Sequence, residues 1–193
     1  MSGFLLTEII ADSIIVRFTR PELRNPLSRV VVERLHEIVD EVAASDVKRL
    51  IFTGSGDAFA SGADLNEIAA LTAADAPEFA RLGQSLMQKV DELPQHTIAA
   101  INGYCFGGAL DLALSSDIRI ASRHARFAHP GAGLGIITGW SGTLRLPRLV
   151  GTANANEMFF TASPIDAKRA LHIGLIDRIA DDVLAAALSF TAE

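Results

Sequence analysis

Cysteine, tryptophan and tyrosine each occur once in these 193 residues, as Cys105, Trp140 and Tyr104. A single cysteine excludes an internal disulfide and suits a reducing compartment, so a cytoplasmic location is expected. No run of 18 apolar residues exists, because Asn102 and Asp111 interrupt the best candidate, so no membrane-spanning helix is expected. The opening MSGFLLTEIIADS lacks a basic region and meets Glu8 and Asp12 early, so it does not read as a signal peptide. Positive charge is also short. Lys and Arg number 17 against 23 Asp and Glu, and a net charge of −6 argues against nucleic acid or an anionic membrane as the principal partner. A phosphate-bearing ligand would then depend on a local Arg or Lys.

What the chain has in quantity is apolar residues, 49% against 21% charged, with a mean hydropathy of +0.29. Residues 1–193 are enough for one domain with a sizeable core and short for two. The apolar excess points to surface buried between subunits.

Hydrophobic spacing gives an α/β chain. Leu5–Ile10 and Ile14–Phe18 read as a hairpin about Asp12-Ser13. Ser28 begins a helix whose apolar positions are Val31, Leu35, Ile38 and Val42. LIFTGSG (50–56) reads as a buried strand entering a glycine loop, and a helix starts near Asp64. Phe79, Leu82, Leu86, Val90 and Leu93 mark a second amphipathic helix. A strand over Thr97–Ile101 precedes a helix over Ala109–Ser115, and Ile118–Ala121 and Arg126–Phe127 read as further strands. Gly142–Val150, Thr152–Thr161 and Asp166–His172 read as helices, with Gly174 as a C-cap. No internal repeat is visible in the residues themselves.

Two glycine turns carry the chemistry. Gly54, Gly56 and Gly62 follow one strand, and Gly103, Gly107 and Gly108 follow the next. Each opens a helix, where bare backbone N–H groups attract negative charge. Side by side, two such turns could aim two N–H groups at one oxygen, forming an oxyanion hole. The same glycines serve equally as ordinary turn residues or as sites of close helix–strand packing. Asp111 lies just beyond the second turn, within an apolar stretch. It reads either as a first-turn carboxylate satisfied by the helix or as a group facing a site.

Four stretches resemble the enoyl-CoA hydratase/isomerase (crotonase) family: DAFASGADLNEI, TIAAINGYCFGGALDLALSSDIRIAS, ARFAHPGAGLGIITGWSGTLRLPRLVG and DAKRALHIGLIDRI. RNPLS (24–28) resembles the family's Asn-Ala-Leu-Ser. The resemblance implies a crotonase-like fold of repeated ββα units wound into a superhelix. It implies an acyl-CoA thioester as substrate, with coenzyme A part of the substrate and no separate cofactor or metal. The backbone N–H groups of Ala63 and Gly108 would form the oxyanion hole. Ala63, Asp64, Leu65 and Asn66 would line the thioester, Arg24 would reach a phosphate or lie solvated, and Trp140 would wall the acyl pocket or sit in the core. Asp111 aligns with the family's first catalytic glutamate, one carbon–carbon bond shorter.

Gly131 stands where the family keeps its second glutamate, which departs from the pattern for hydration. His129 lies two residues earlier. Strand alternation admits both an inward His129 that supplies a base and an outward one at the surface. Two rival motifs fail. GAGLG (131–135) is followed by Ile136 rather than completing G-x-G-x-x-G, and GWSGT (139–143) lacks the last glycine of a nucleophile elbow.

The resemblance further implies a homotrimer or a dimer of trimers. Family members continue beyond GLIDRI into helices that cover the acyl site and pack trimers. Ending at DDVLAAALSFTAE, this chain is expected to have that region short or missing. The leading expectation is an enzyme running hydration, double-bond isomerisation or decarboxylation through a thioester enolate. The alternative is a non-catalytic acyl-CoA-binding or oligomerisation subunit.

Overall fold

Runs of β-branched residues build β1 (Leu5–Ile10) and β2 (Ser13–Phe18), an antiparallel hairpin turning at Ala11-Asp12. In the computed structural model residues 3–190 are described; residues 1–2 and 191–193, the extremes of the two termini read above, lie outside them. A 3₁₀ turn over Pro21–Leu23 leads to α1 (Arg29–Ala43), which buries the expected stripe of Val31, Leu35, Ile38 and Val42. Then follow β3 (Arg49–Thr53), β4 (Ala58–Ala60), α2 (Leu65–Ala70), α3 (Ala76–Asp91), β5 (His96–Ile101), β6 (Tyr104–Phe106), α4 (Gly108–Leu114), β7 (Ile118–Ala121) and β8 (Arg126–Ala128). After a 3₁₀ turn over Pro130–Leu134 come α5 (Gly142–Val150), α6 (Thr152–Thr161), β9 (Ile165–Asp166), α7 (Ala167–His172), β10 (Arg178–Ile179) and α8 (Val183–Leu188).

The strands form two sheets. One has the order β1-β2-β3-β5-β7-β10, the other β4-β6-β8-β9. Successive strand pairs supply them in step. The first members, β3, β5 and β7, lie parallel in the larger sheet, and the second members, β4, β6 and β8, lie parallel in the smaller one. A structural repeat of strand pairs therefore exists although no sequence repeat announces it. β4 and β6 correct the reading of these residues as glycine loops. Three-residue strands are too short to display a period of two, and flanking glycines mask them.

The inner strands of the larger sheet, β2, β3, β5 and β7, divide their side chains between two cores. Leu50, Phe52, Ala99 and Ile101 face the main core with α1, α3 and α4. Ile51, Ile98, Ala100 and Ile120 face a smaller cluster closed by Val183 and Ala187 of α8. Runs of consecutive apolar residues, buried on both faces, are what a parallel sheet demands.

One side chain ties the entry loop to the smaller sheet. Asn25 is 2% exposed, with a left-handed φ of 52°. Its Oδ1 accepts from the Arg20 N–H at 2.8 Å, and its Nδ2 donates to the Ala58 carbonyl at 2.8 Å and more distantly to those of Ser55 and Phe59, both at 3.2 Å. The same loop forms a parallel bridge from Leu27 to Ala63, with the Leu27 N–H donating to the Gly62 carbonyl at 2.8 Å. Asn25→Ala strands these partners and puts a Cβ residue without a compensating side chain at positive φ. We expect a loss of about 2 kcal/mol, roughly 4–8 °C in thermal midpoint, read by calorimetry. An unchanged midpoint would remove Asn25 from this role.

Candidate active site

The two glycine turns meet. Gly62 has φ +92°, and a Cβ built on it would lie 2.7 Å from the Phe106 carbonyl oxygen and 3.0 Å from the Gly108 nitrogen. Only glycine permits that approach, so the loop after β4 and the start of α4 are held backbone to backbone. Ala63 follows Gly62, and Gly108 opens α4. Among the described residues, neither the Ala63 N–H nor the Gly108 N–H donates to a protein acceptor. The two touching turns thus present two backbone donors without a protein acceptor.

Both residues line a cavity of about 220 Å³. Its wall is almost wholly apolar, built from α2 and α3 on one side (Leu65, Ile68, Phe79) and from the loop after β8 on the other (Leu134, Ile136, Ile137). Trp140 lines it too while being 3% exposed, so the pocket-wall and core readings of this residue meet in one position. Its ring stacks 5.4 Å from Phe79 and lies on the bare faces of Gly83 and Gly108. The Gln84 side chain donates to the Gly139 carbonyl at 2.8 Å and so ties α3 to the cavity loop.

Other sequence candidates are placed differently. Asp64 turns its carboxylate back to the Asn66 N–H at 2.8 Å, capping α2, and neither residue is part of the cavity lining. Arg24 is exposed and outside the cavity lining, its guanidinium 5.1 Å from the Tyr104 ring centre.

Gly131 lines the cavity, at the start of a turn closed by the Ile136 N–H donating to its carbonyl at 3.0 Å. A Cβ here would lie 2.5 Å from the Ile136 carbonyl oxygen. A glutamate here, as the resemblance leads one to expect, would thus have to displace backbone as well as find room for its side chain. The turn occupies the space such a side chain would leave from.

Asp111 is fully buried in α4 and does not itself line the cavity. The Thr138 hydroxyl donates to its Oδ2, and its Oδ1 lies 3.5 Å from His129 Nε2. Burial pushes the carboxyl up to about 7. The Thr138 hydroxyl, the facing amides of Trp140 and Gly142 and the Arg145 charge pull the other way, though neither amide completes a hydrogen bond to Oδ1. His129, 3% exposed, does line the cavity and stacks 5.1 Å from Phe159. Burial drives its imidazole down to about 4, and neither ring nitrogen has a hydrogen-bond partner among the described residues. Sequence reasoning set His129 between wall and surface. The fold turns it inward and makes it the one ionisable side chain on the described cavity wall.

A model of the enoyl-CoA hydratase/isomerase family matches residues 9–193. The chain belongs to that family. It is 38% identical over 169 residues to the short-chain-enoyl-CoA hydratase of Clostridium acetobutylicum, covering 86% of this chain and 65% of the relative. It is 41% identical over 170 residues to the crotonyl-CoA hydratase of Syntrophomonas wolfei, covering 86% and 64%. The chain thus spans a little under two thirds of the length of these curated relatives. Among solved structures it superimposes on Pseudomonas aeruginosa DspI with a TM-score of 0.92 and 34% identity, over 97% of this chain and 78% of that one. An enoyl-CoA hydratase from Bacillus anthracis follows at 0.91 and 32%, over 96% and 74%. These matches establish the crotonase-type fold expected from the sequence.

In this family member, the two buried groups have opposite effects on stability. The folded state raises the Asp111 pKa, so its contribution is present below about 4 and is lost as pH climbs through about 7. The His129 pKa is lowered, so its contribution is present above about 6.5 and is lost as pH falls through about 4. Between these limits the folded pair and the unfolded pair bind nearly the same number of protons. We expect the pair to leave wild-type stability nearly flat from pH 4 to 6.5. Asp111→Asn should make stability rise with pH across that window, and His129→Gln should make it fall, each by on the order of 3 kcal/mol. Urea unfolding at a series of pH values checks this; parallel profiles for all three proteins would refute it. Gly131→Ala should cost about 1–3 kcal/mol by forcing open the turn to Ile136, measured in the same assay.

Proposed function

We propose that this chain is an enzyme acting on an acyl thioester of coenzyme A, whose carbonyl oxygen is held between the Ala63 and Gly108 N–H groups while an enolate forms. The observation that carries this reading is the pair of unpartnered backbone donors at an apolar cavity. Charge developing on the thioester oxygen meets donors that are already oriented, in surroundings of low dielectric where they are strong. The family relationship and the names of the relatives, enoyl-CoA hydratases, support the substrate class.

Hydration, double-bond isomerisation and decarboxylation all pass through such an enolate. No carboxylate lines the described cavity wall, so hydration here runs without two glutamates facing the water. Because the chemistry is proton movement against a stabilised oxyanion, it requires no cofactor beyond the coenzyme A carried by the substrate. Leu65 and Trp140, which line the cavity, would contact the acyl end; Asp64, Asn66 and Arg24, outside its lining, would serve the coenzyme portion. Apolar side chains left in solvent on α5, α6 and the cavity loop support a homotrimer or dimer of trimers: Phe160 is 80% exposed, Ile137 69% and Leu144 61%. The single buried cysteine supports a cytoplasmic location.

Crotonyl-CoA tests the proposal directly. It should bind with its thioester carbonyl stretch moved to lower wavenumber, and its conjugated absorbance should decay with time. In Asp111→Asn the decay should slow at least tenfold with affinity nearly unchanged. Binding without a carbonyl shift would refute the oxyanion hole. Binding without decay would leave the acyl-CoA subunit reading, and no binding would refute the substrate class.

A further inference from the structure

The site as described has an oxyanion hole and no acid or base of the carboxylate kind in contact with the cavity. Its nearest carboxylate, Asp111, lies behind the wall. His129 lines the cavity and also approaches Asp111, with Nε2 3.5 Å from Asp111 Oδ1; both ring nitrogens are buried and without a partner, so substrate must press against the ring to uncover Nδ1. An aromatic neighbour, Phe159, fixes one side of the ring. A buried imidazole with both nitrogens unsatisfied is costly for a structural role alone, because such groups normally find partners. The 3.5 Å separation is just beyond a formed hydrogen bond, and catalytic contacts of this kind commonly shorten once substrate is bound.

We propose that His129 is the base and acid that meets the substrate, with Asp111 as the positioning residue behind it. This rests on the acyl-CoA reading above. In the step, the bond from the substrate α-carbon to hydrogen breaks and the proton forms a bond to His129 Nδ1. The electron pair passes to the thioester oxygen, held by the Ala63 and Gly108 N–H groups. The imidazolium so formed points Nε2–H at the Asp111 carboxylate. Returning the proton to the same carbon gives exchange, and returning it two carbons along an unsaturated chain gives isomerisation. The protein ends in its starting protonation state, and nothing is oxidised or reduced. His129 thereby takes over the task left vacant at Gly131, from two residues upstream and from the other side of Pro130.

The charged and titratable groups that face the pair are few. Arg145 of α5 stabilises the Asp111 carboxylate, and Cys105 of β6 is its other titratable neighbour. Arg145 is itself paired with Asp91 at 3.0 Å. The Thr138 hydroxyl completes the ring around Oδ2.

The deciding experiment is α-proton exchange of butyryl-CoA in D₂O, followed by NMR, with butyryl-CoA affinity measured alongside. Wild type should exchange at a rate that climbs with pH toward a plateau as Asp111 ionises. His129→Gln should lose roughly 10²-fold or more with affinity within a few-fold of wild type. Asp111→Asn should lose less, and its rate should no longer climb over pH 5–8, a change that a merely structural carboxylate would not produce. His129→Asn is the second variant should the glutamine not fold, with the same expectation. Wild-type rates in a folded His129 variant, or binding with no exchange in wild type, would overturn the role of His129 and leave the acyl-CoA reading standing. A pH profile unchanged in Asp111→Asn would overturn the positioning role. Failure of wild type to bind butyryl-CoA would overturn both readings together.

Discussion

The close approach of two chain turns at Gly62 is the constraint on which the site depends. Every other element serves to bring the end of β4 and the end of β6 to that contact. Paired strands feeding two sheets in step do so without long-range side-chain recognition, since each parallel register is fixed by its neighbour. Asn25 and the Leu27 bridge then pin the first of the two turns from the outside. What meets there is backbone, so the contact tolerates wide change in side chains but little in the path of the chain. The fold as a whole superimposes on solved relatives with TM-scores of 0.92 and 0.91.

The electrostatics follow from the same compactness. A cavity walled by leucine, isoleucine and aromatic carbon penalises any charge next to it. Asp111 and His129 respond in opposite senses, one holding its proton and the other refusing one. Two groups pushed toward neutrality at 3.5 Å can pass a proton from one to the other with no change in their total charge. This gives an interior site acid–base capacity near neutral pH without a solvated ion.

Much of this was legible in the residues. The long strands and the amphipathic helices were plain because their periods extend over enough positions, as in α1 and α3. The two glycine turns that meet at Gly62 were legible through their glycines and the family likeness. β4 and β6 were not, being three residues each, and the repeat they build is one of geometry alone. His129 was visible as a candidate but its direction was undetermined, since the 3₁₀ turn after β8 breaks the strand alternation that would have fixed it. That Asp111 would sit behind the wall was likewise hidden. It depends on Trp140 and Thr138, residues distant in sequence that fold back over α4.

The turn from Gly131 to Ile136 has a consequence for how such a site can change over generations. With the Ile136 carbonyl oxygen 2.5 Å from where a Cβ would stand, any side chain introduced at 131 must move this turn as it arrives, whereas position 129 already presents a side chain to the cavity at no such cost.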